Sequence, residues 1–528
     1  MRRLVTTVLM GLATFGQAAQ AETSRPRLVV GIVVDQLRTD YIELLQNYFG
    51  DRGFKTLLTD GVYIRDVDFR VPRLDATAST AMLLTGSYPA QNGVPSAAYY
   101  DTSVPGGALK LPLVSSNSTS ITNDSFTPEA LRLSTLGDEY IIDSGGYSSV
   151  YSIAPEPQQA MILAGHSGKG AYWVNNTSGN WVTSSYYGGL PAALSARNMR
   201  NSLSHRIDTM VWRPSAKLSR VAGLPEYKRN SPFKYIFSRN DRDVFKKFAL
   251  TPMANTEITD VAIEIINNLP SGSTNGGGDM VNIAYTLAPY RYASEGNART
   301  ELTDAYLRLD ADIGRLIEAI DRKVGRGNAL IWLSSTGYFD DALPADPRYR
   351  LPGGEFSTRK ARSLLNSYLS ARYGSAGYIS AIRDGQIFFD RQAIEQMRLD
   401  SDKVISDARQ FLIKMSGVSD ARTLSEVLSP RTKEEENLRL GLDPRVCGDI
   451  IVDFTPGWTV SYDDTLPAQQ KVARENVVMT PAMIMAPGLS PAKIETPVAA
   501  TALAPTVAGL LHIRSPNGAR SRAASLTR

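Results

Sequence analysis

Residues 27–34, RLVVGIVV, constrain the fold more than any other stretch, because an apolar, β-branched run without alternation fits a strand buried on both faces. Such burial requires helices on both sides of a sheet, and the crossovers that carry those helices favour parallel order. The run ends at Asp35, at the strand's carboxyl end, where α/β sheets bind ligands; Asp35 is equally placed to cap the segment 37–48. Short buried-strand patterns at 280–287, 329–333, 449–453 and 482–486 alternate with helical ones. The clearest helical spacing runs through Leu302, Tyr306, Leu309, Ile313, Leu316, Ile317 and Ile320, and further helices are expected near 360–373, 391–414 and 503–511. The expected class is α/β, with a mixed, mainly parallel central sheet and helices on both faces.

Segments 97–130 and 165–205 are rich in Ser, Thr, Asn, Gly and Tyr with little helical periodicity, which suggests an inserted cap spanning roughly 97–235. Its aromatics Tyr99, Tyr100, Tyr172, Trp173, Trp181, Tyr186 and Tyr187 either pack the cap on the core or offer a partner surface, since Tyr and Trp are favoured in binding hot spots. The run Lys433-Glu434-Glu435-Glu436 is expected to be a solvated face.

The first residues have the form of a secretory signal: Arg2 and Arg3, an apolar stretch from Leu4 to Phe15, and Ala19-Gln20-Ala21 as a cleavage site. The expected mature domain is 22–528, exported to the periplasm or to the cell surface and outer membrane. The apolar stretch is too short for a membrane span, and no cysteine follows the cut to carry a lipid. Loss of 1–21 removes two arginines and lowers the formal charge from +4 to +2, with no basic run to bind nucleic acid. Cys447 is the single cysteine, so no intramolecular disulfide is possible, and a chain with 43% apolar residues must be held by packing. Cys447 itself is expected to be a buried small residue rather than a nucleophile.

Several stretches carry a familiar wording: 33–41 (VVDQLRTDY), 84–94 (LTGSYPAQNGV), 171–187 (AYWVNNTSGNWVTSSYY), 304–310 (DAYLRLD), 361–373 and 456–460. They resemble periplasmic phosphatases of the alkaline phosphatase superfamily, in the phosphate-irrepressible branch related to nucleotide pyrophosphatase/phosphodiesterases. The likeness runs in one order from about residue 27 to about 519, and implies an alkaline-phosphatase-like three-layer sandwich. It also implies an active site of two zinc ions, held by aspartates and three histidines, with a threonine nucleophile between them. Two cations activate such a nucleophile and stabilise both the attacking and the leaving oxygen.

Carried over position by position, that set is almost absent. Asp35 matches the first aspartate. The nucleophile falls on Ala76, and the histidine that follows it on Thr80. The phosphoryl-contacting asparagine falls on Ala97, and the lysine and arginine on Pro157 and Gln159. The Asp-x-x-x-His pair falls on Pro289 and Ala293, the Asp-His pair on Ser335 and Thr336, and the last histidine on Met479. Alanine cannot attack phosphorus, and hydroxyls are poor zinc ligands. Only His166, His205 and His512 exist, scattered and without paired spacing. The expectation is a catalytically inactive relative, without zinc or another cofactor, that binds an envelope protein or serves as a scaffold.

Two other readings carry chemistry. An active phosphatase or phosphodiesterase could use Thr77 or Thr80 as nucleophile, with Asp35, Asp340 and Asp341 holding Mg²⁺ or Ca²⁺, for which oxygen ligands suffice. A hydrolase of another type could use Gly165-His166-Ser167-Gly168-Lys169, but Lys169 stands where a nucleophile elbow needs its second glycine, and the Walker A spacing is lacking. That segment is expected to be a turn.

Overall fold

The computed structural model describes residues 25–104, 107–118, 120–222, 233–270, 278–293, 299–340, 353–462, 471–472 and 476–526. The signal expected at 1–21 lies outside them. Nine strands form the central sheet: β1 (Leu28–Asp35), β2 (Val62–Ile64), β3 (Val150–Ile153), β4 (Gly170–Val174), β5 (Trp181–Val182), β6 (Asp279–Thr286), β7 (Ala329–Ser335), β8 (Ala482–Met485) and β9 (Ala492–Ile494). Their order is β9-β2-β8-β7-β1-β6-β3-β4-β5. Five pairings are parallel and three antiparallel, so the sheet is mixed and mainly parallel.

β1 lies at its centre, paired to β6 on one side and β7 on the other, and is buried along its whole length. Its side chains alternate between two apolar clusters. Leu28, Val30, Ile32 and Val34 join one, and Val29 and Val33 the other. Gly31 marks a close approach: a methyl group there would stand 2.3 Å from the Asn282 Oδ1 and 2.8 Å from the Trp332 ring.

Helices cover both faces: α1 (Ala76–Thr85), α2 (Pro157–Ala164), α3 (Pro252–Asn268), α4 (Arg299–Val324) and α5 (Leu503–Leu511). The apolar stripes of α3 and α4 belong to the first cluster, and α1, α2 and α5 to the second. The α4 stripe contains every residue named from its spacing, each of them buried.

The expected cap does not stand apart. The stretch 97–235 supplies β3, β4 and β5, because each has a partner strand to satisfy its backbone and buried side chains to pack. Tyr172, Trp173 and Trp181 lie on those strands and are buried, which removes them from any partner surface. Tyr99 and Tyr100 lie on a short hairpin, and Tyr100 packs against Phe388 with ring centroids 5.0 Å apart. Tyr187 donates from its hydroxyl to the Gly165 carbonyl, and Tyr186 is 45% exposed.

A second lobe, 353–462, was not foreseen as a unit. Strands Ile379–Arg383, Gln386–Phe389, Ile450–Phe454 and Val418–Thr423 form an antiparallel sheet in that order, covered by helices Thr358–Tyr373 and Ser401–Leu412 over a separate apolar core. The helix expected over 391–414 is two helices, broken where Arg398 takes φ +55°. Arg73 fastens this lobe to the core, donating to the carbonyls of Asp384 and Val452 and to the Asp453 carboxylate.

Candidate functional site

β1 delivers Asp35 to the carboxyl edge of the sheet, and the chain turns sharply there, with Gln36 at φ +63°. The neighbouring β7 ends at Ser335, followed by Thr336, Gly337 at φ +80° and Tyr338. Parallel register sets these two strand ends side by side, and the Thr336 hydroxyl donates to the Asp35 carboxylate at 2.9 Å. The same hydroxyl accepts the Gln36 backbone N–H at 2.9 Å. Gln36 donates its amide to the other Asp35 oxygen at 3.4 Å and accepts the Asp340 N–H at 2.9 Å.

Burial pushes the Asp35 carboxyl up to about 6, against hydrogen bonds from Tyr338, Thr336 and Gln36 that oppose the rise, while the nearby charge of Asp340 adds to it. Tyr338 is raised well above the ordinary phenol range by burial and by the carboxylates of Asp35, Asp75 and Asp340 around it. Asn476 closes this group, donating to the Leu74 carbonyl at 2.9 Å and the Asp340 carboxylate at 3.2 Å.

The second half of the site is the start of α1. Asp75 is the N-cap, accepting the Ala78 N–H at 2.9 Å with one oxygen and the Ala97 N–H at 2.7 Å with the other. Ala76, where the resemblance places the nucleophile, is therefore the first helical residue and carries only a methyl group. One turn on, Thr80 is buried and donates to the Ala76 carbonyl at 2.6 Å. Gln159, from α2, donates to the Thr80 hydroxyl at 3.3 Å. Pro157 opens α2, and its neighbour Gln158 donates to the Ala97 carbonyl at 2.8 Å.

The remaining positions carry no carboxylate or imidazole. Pro289 and Ala293 follow β6 in a segment where Tyr290 meets Trp212 and Tyr235, at centroid distances of 5.3 and 4.7 Å. Ala293 packs against the first apolar cluster. Ser335 is buried and gives its hydroxyl to the Leu37 carbonyl at 2.7 Å. Met479 is turned outward, 45% exposed, while the adjacent Val478 packs inward on the cluster that Ala293 touches.

Sequence reasoning thus named positions that the structure joins in pairs, Asp35 with Thr336 and Thr80 with Gln159. It missed Gln36, Asp75, Gln158, Tyr338 and Asn476. Tyr338 had a signal, the aromatic directly after the strand-ending Ser-Ser-Thr-Gly; Asn476 had none, since it lies far from the others in sequence. Thr77 is buried on α1, Asp340 is held by Asn476, and Asp341 lies outside the described residues.

Among the described residues, no group of three or more His, Cys, Asp or Glu side chains could hold a metal ion. His166 bonds the Asp138 carboxylate and the Leu131 carbonyl, His512 caps α5, and His205 lies in a short helix. The segment 165–169 is a turn, with Gly165 at φ +71° capping α2. Burial lifts the Cys447 thiol to about 12, with Asp443 and Asp449 adding to the rise, so little thiolate forms.

The sequence matches the family of type I phosphodiesterase / nucleotide pyrophosphatase over residues 29–478. It is similar to alkaline phosphatase PhoV of Synechococcus elongatus, 26% identical over 512 residues covering 94% of this chain and 92% of that one. It is 27% identical to alkaline phosphatase PafA of Elizabethkingia meningoseptica over 544 residues, 97% of this chain and 96% of PafA. The crystal structure of wild-type PafA superimposes with a TM-score of 0.79 at 25% identity, covering 94% of this chain and 98% of that chain.

Proposed function

The chain belongs to the type I phosphodiesterase / nucleotide pyrophosphatase family, in the alkaline phosphatase superfamily, and we propose that it is a non-catalytic member that keeps the fold as a binding protein of the cell envelope. The observation that carries this reading is the state of Asp35, the one retained ligand position. Its oxygens are taken up by hydrogen bonds from Thr336, Gln36 and Tyr338, and among the described residues it belongs to no cluster of three or more His, Cys, Asp or Glu side chains that could hold a cation.

Two zinc ions do not fit the donor set. Zinc takes Cys, His and carboxylate ligands, and the seven aligned positions offer one carboxylate, three hydroxyls, two alkyl groups and an outward-turned thioether. Phosphoryl transfer also needs a nucleophile and positive charge at the transferring oxygens. Ala76 supplies no nucleophile, and Pro157 and Gln159 supply no charge. An active reading through Thr80 meets a specific obstacle, because its hydroxyl is buried, donated to Ala76 and covered by Gln159.

Metal analysis of the purified mature protein, alongside hydrolysis of aryl phosphate mono- and diesters with added Zn²⁺, Mg²⁺, Mn²⁺ or Ca²⁺, tests this. No stoichiometric metal and no turnover are expected. Bound metal with turnover abolished by Asp35→Asn would overturn the reading.

The envelope role rests on the signal-like first 21 residues and on a fold retained without its chemistry. No helix among the described residues is long and apolar enough to cross a membrane. Of the aromatics offered for a partner, Tyr186 is the exposed one. Co-purification from native envelopes that Tyr186→Ala abolishes is the expected result, and a protein that elutes alone and monodisperse from that source would count against it.

A further inference from the structure

Formal charge is distributed unevenly along this chain. Residues 496–528 hold Arg514, Arg520, Arg522 and Arg528 with no lysine, aspartate or glutamate, so the whole net charge of +4 resides there and the rest of the chain is balanced. The structure shows how three of these arginines are presented, Arg528 lying outside the described residues. After α5 the chain runs on as a non-helical arm, 512–526, laid against the core at four points. Asn517 exchanges two bonds with Ser134, at 2.9 and 3.0 Å, and the Ser87 hydroxyl donates to the Gly518 carbonyl at 2.6 Å. Ser521 meets the Thr501 hydroxyl at 2.6 Å, and the Ala524 N–H donates to Thr506 at 2.8 Å.

Anchoring decides which side chains face outward. Ser521 points to the core, so its neighbours Arg520 and Arg522 are exposed, as is Arg514. Among the described residues none of these three forms an ion pair, whereas exposed arginines elsewhere, such as Arg52, Arg242 and Arg326, stand beside Glu318, Asp243 and Asp60. Glu139, the acid tied to the arm through Ser134, is buried and takes the serine hydroxyl instead.

We propose that this arm is a docking surface for anionic lipid headgroups, holding the protein peripherally on a membrane. The arm is pinned, so little chain entropy is lost when its guanidiniums meet phosphates, and guanidinium matches phosphate geometry well. Nucleic acid fits less well. Residues 496–528 contain no Phe, Tyr or Trp on which a base could stack. The inference is independent of whether the site around Asp35 turns over a phosphate.

The test is co-sedimentation of the purified full chain with vesicles of phosphatidylglycerol and phosphatidylcholine, against phosphatidylcholine alone. Binding is expected on the anionic vesicles only, and is expected to vanish near roughly 1 M salt, where the screening length is about 3 Å. With each arginine worth about five-fold at an anionic surface, the triple variant R514Q/R520Q/R522Q should bind about 100-fold more weakly with an unchanged melting temperature. The control R52Q/R242Q/R326Q removes equal charge from the body and should change binding several-fold at most. Equal weakening by both triples, equal binding to neutral vesicles, or tighter binding to single-stranded DNA than to the vesicles would each overturn the assignment.

Discussion

Two buried carboxylates in this molecule have opposite fates. Glu257, on α3, accepts bonds from Arg197 at 2.9 Å, Arg206 at 2.6 Å and the Trp181 indole at 3.1 Å. Burial alone would raise its pKa, but the two guanidiniums outweigh that and hold it below the usual range. Asp35 is as deeply placed, yet its partners are the neutral donors Thr336, Gln36 and Tyr338, with a second carboxylate nearby, and it rises to about 6. The difference is a missing cation. A carboxylate inside a protein stays ionised when a full positive charge faces it, and hydrogen bonds from neutral groups compensate only in part. Among the described residues around Asp35 no guanidinium, ammonium or imidazolium supplies that charge, and the neutral donors leave the rise caused by burial only partly compensated.

This contrast can be broken at either end. The largest effect is expected from Glu257→Ala, which leaves Arg197 and Arg206 facing each other without their shared anion and should cost about 3–5 kcal/mol in a denaturant melt. A loss under about 1 kcal/mol would mean that Asp260 and Glu264, also near Arg197, carry the network.

At the other end the signature is pH dependence. A carboxyl whose pKa is raised in the folded state binds more protons there than in the unfolded chain, so stability falls as pH rises from about 4 to about 6. A shift from 3.8 to about 6 corresponds to about 3 kcal/mol of stability lost across that window. The difference between wild type and Asp35→Asn should trace this loss and be flat above pH 7. A difference that is flat throughout would place the Asp35 pKa in the ordinary range.

Thr336→Val sharpens the same comparison. It removes the donor to Asp35 and strands the Gln36 N–H, and should cost about 2 kcal/mol at neutral pH. Because the Thr336 hydroxyl favours the ionised carboxyl, the cost should shrink below pH 4. A pH-independent cost would assign the effect to the Gln36 N–H alone.

The contrast also marks what was legible in sequence. β1 and α4 were readable because β-branched continuity and a seven-residue apolar stripe have few structural solutions. The network around Asp35 was not. Gln36 and Asp75 sit in polar or mixed segments whose local pattern is that of any loop, and Asn476 reaches Leu74 across some 400 residues. The aromatics of 171–187 left packing and display both open for a related reason. Trp173 and Trp181 lie in strands of five and two residues, too short to show a period, so burial could not be told from display.

The smallest expected effect concerns a third acid, where the cation is a histidine. His166 faces an acceptor with each ring nitrogen, the Asp138 carboxylate at 3.0 Å and the Leu131 carbonyl at 2.9 Å, and only the doubly protonated ring can donate to both. The bond to Asp138 raises its pKa and the Leu131 carbonyl adds to the rise, against burial. Asp138 is in turn held low, burial being outweighed by His166 and the backbone of Thr135 and Ser167. The sign is opposite to that of Asp35 in its cause but not in its direction. A histidine raised in the folded state contributes its full stabilisation below its unfolded pKa, and loses it as pH climbs through the higher folded value. His166→Ala should therefore be more costly at pH 6 than at pH 9. The change should be modest, because the imidazole is one-third exposed and solvent screens the pair. NMR titration of the ring gives the direct check: a His166 midpoint at or below that of exposed His205 would show that the Asp138 carboxylate does not hold the imidazolium.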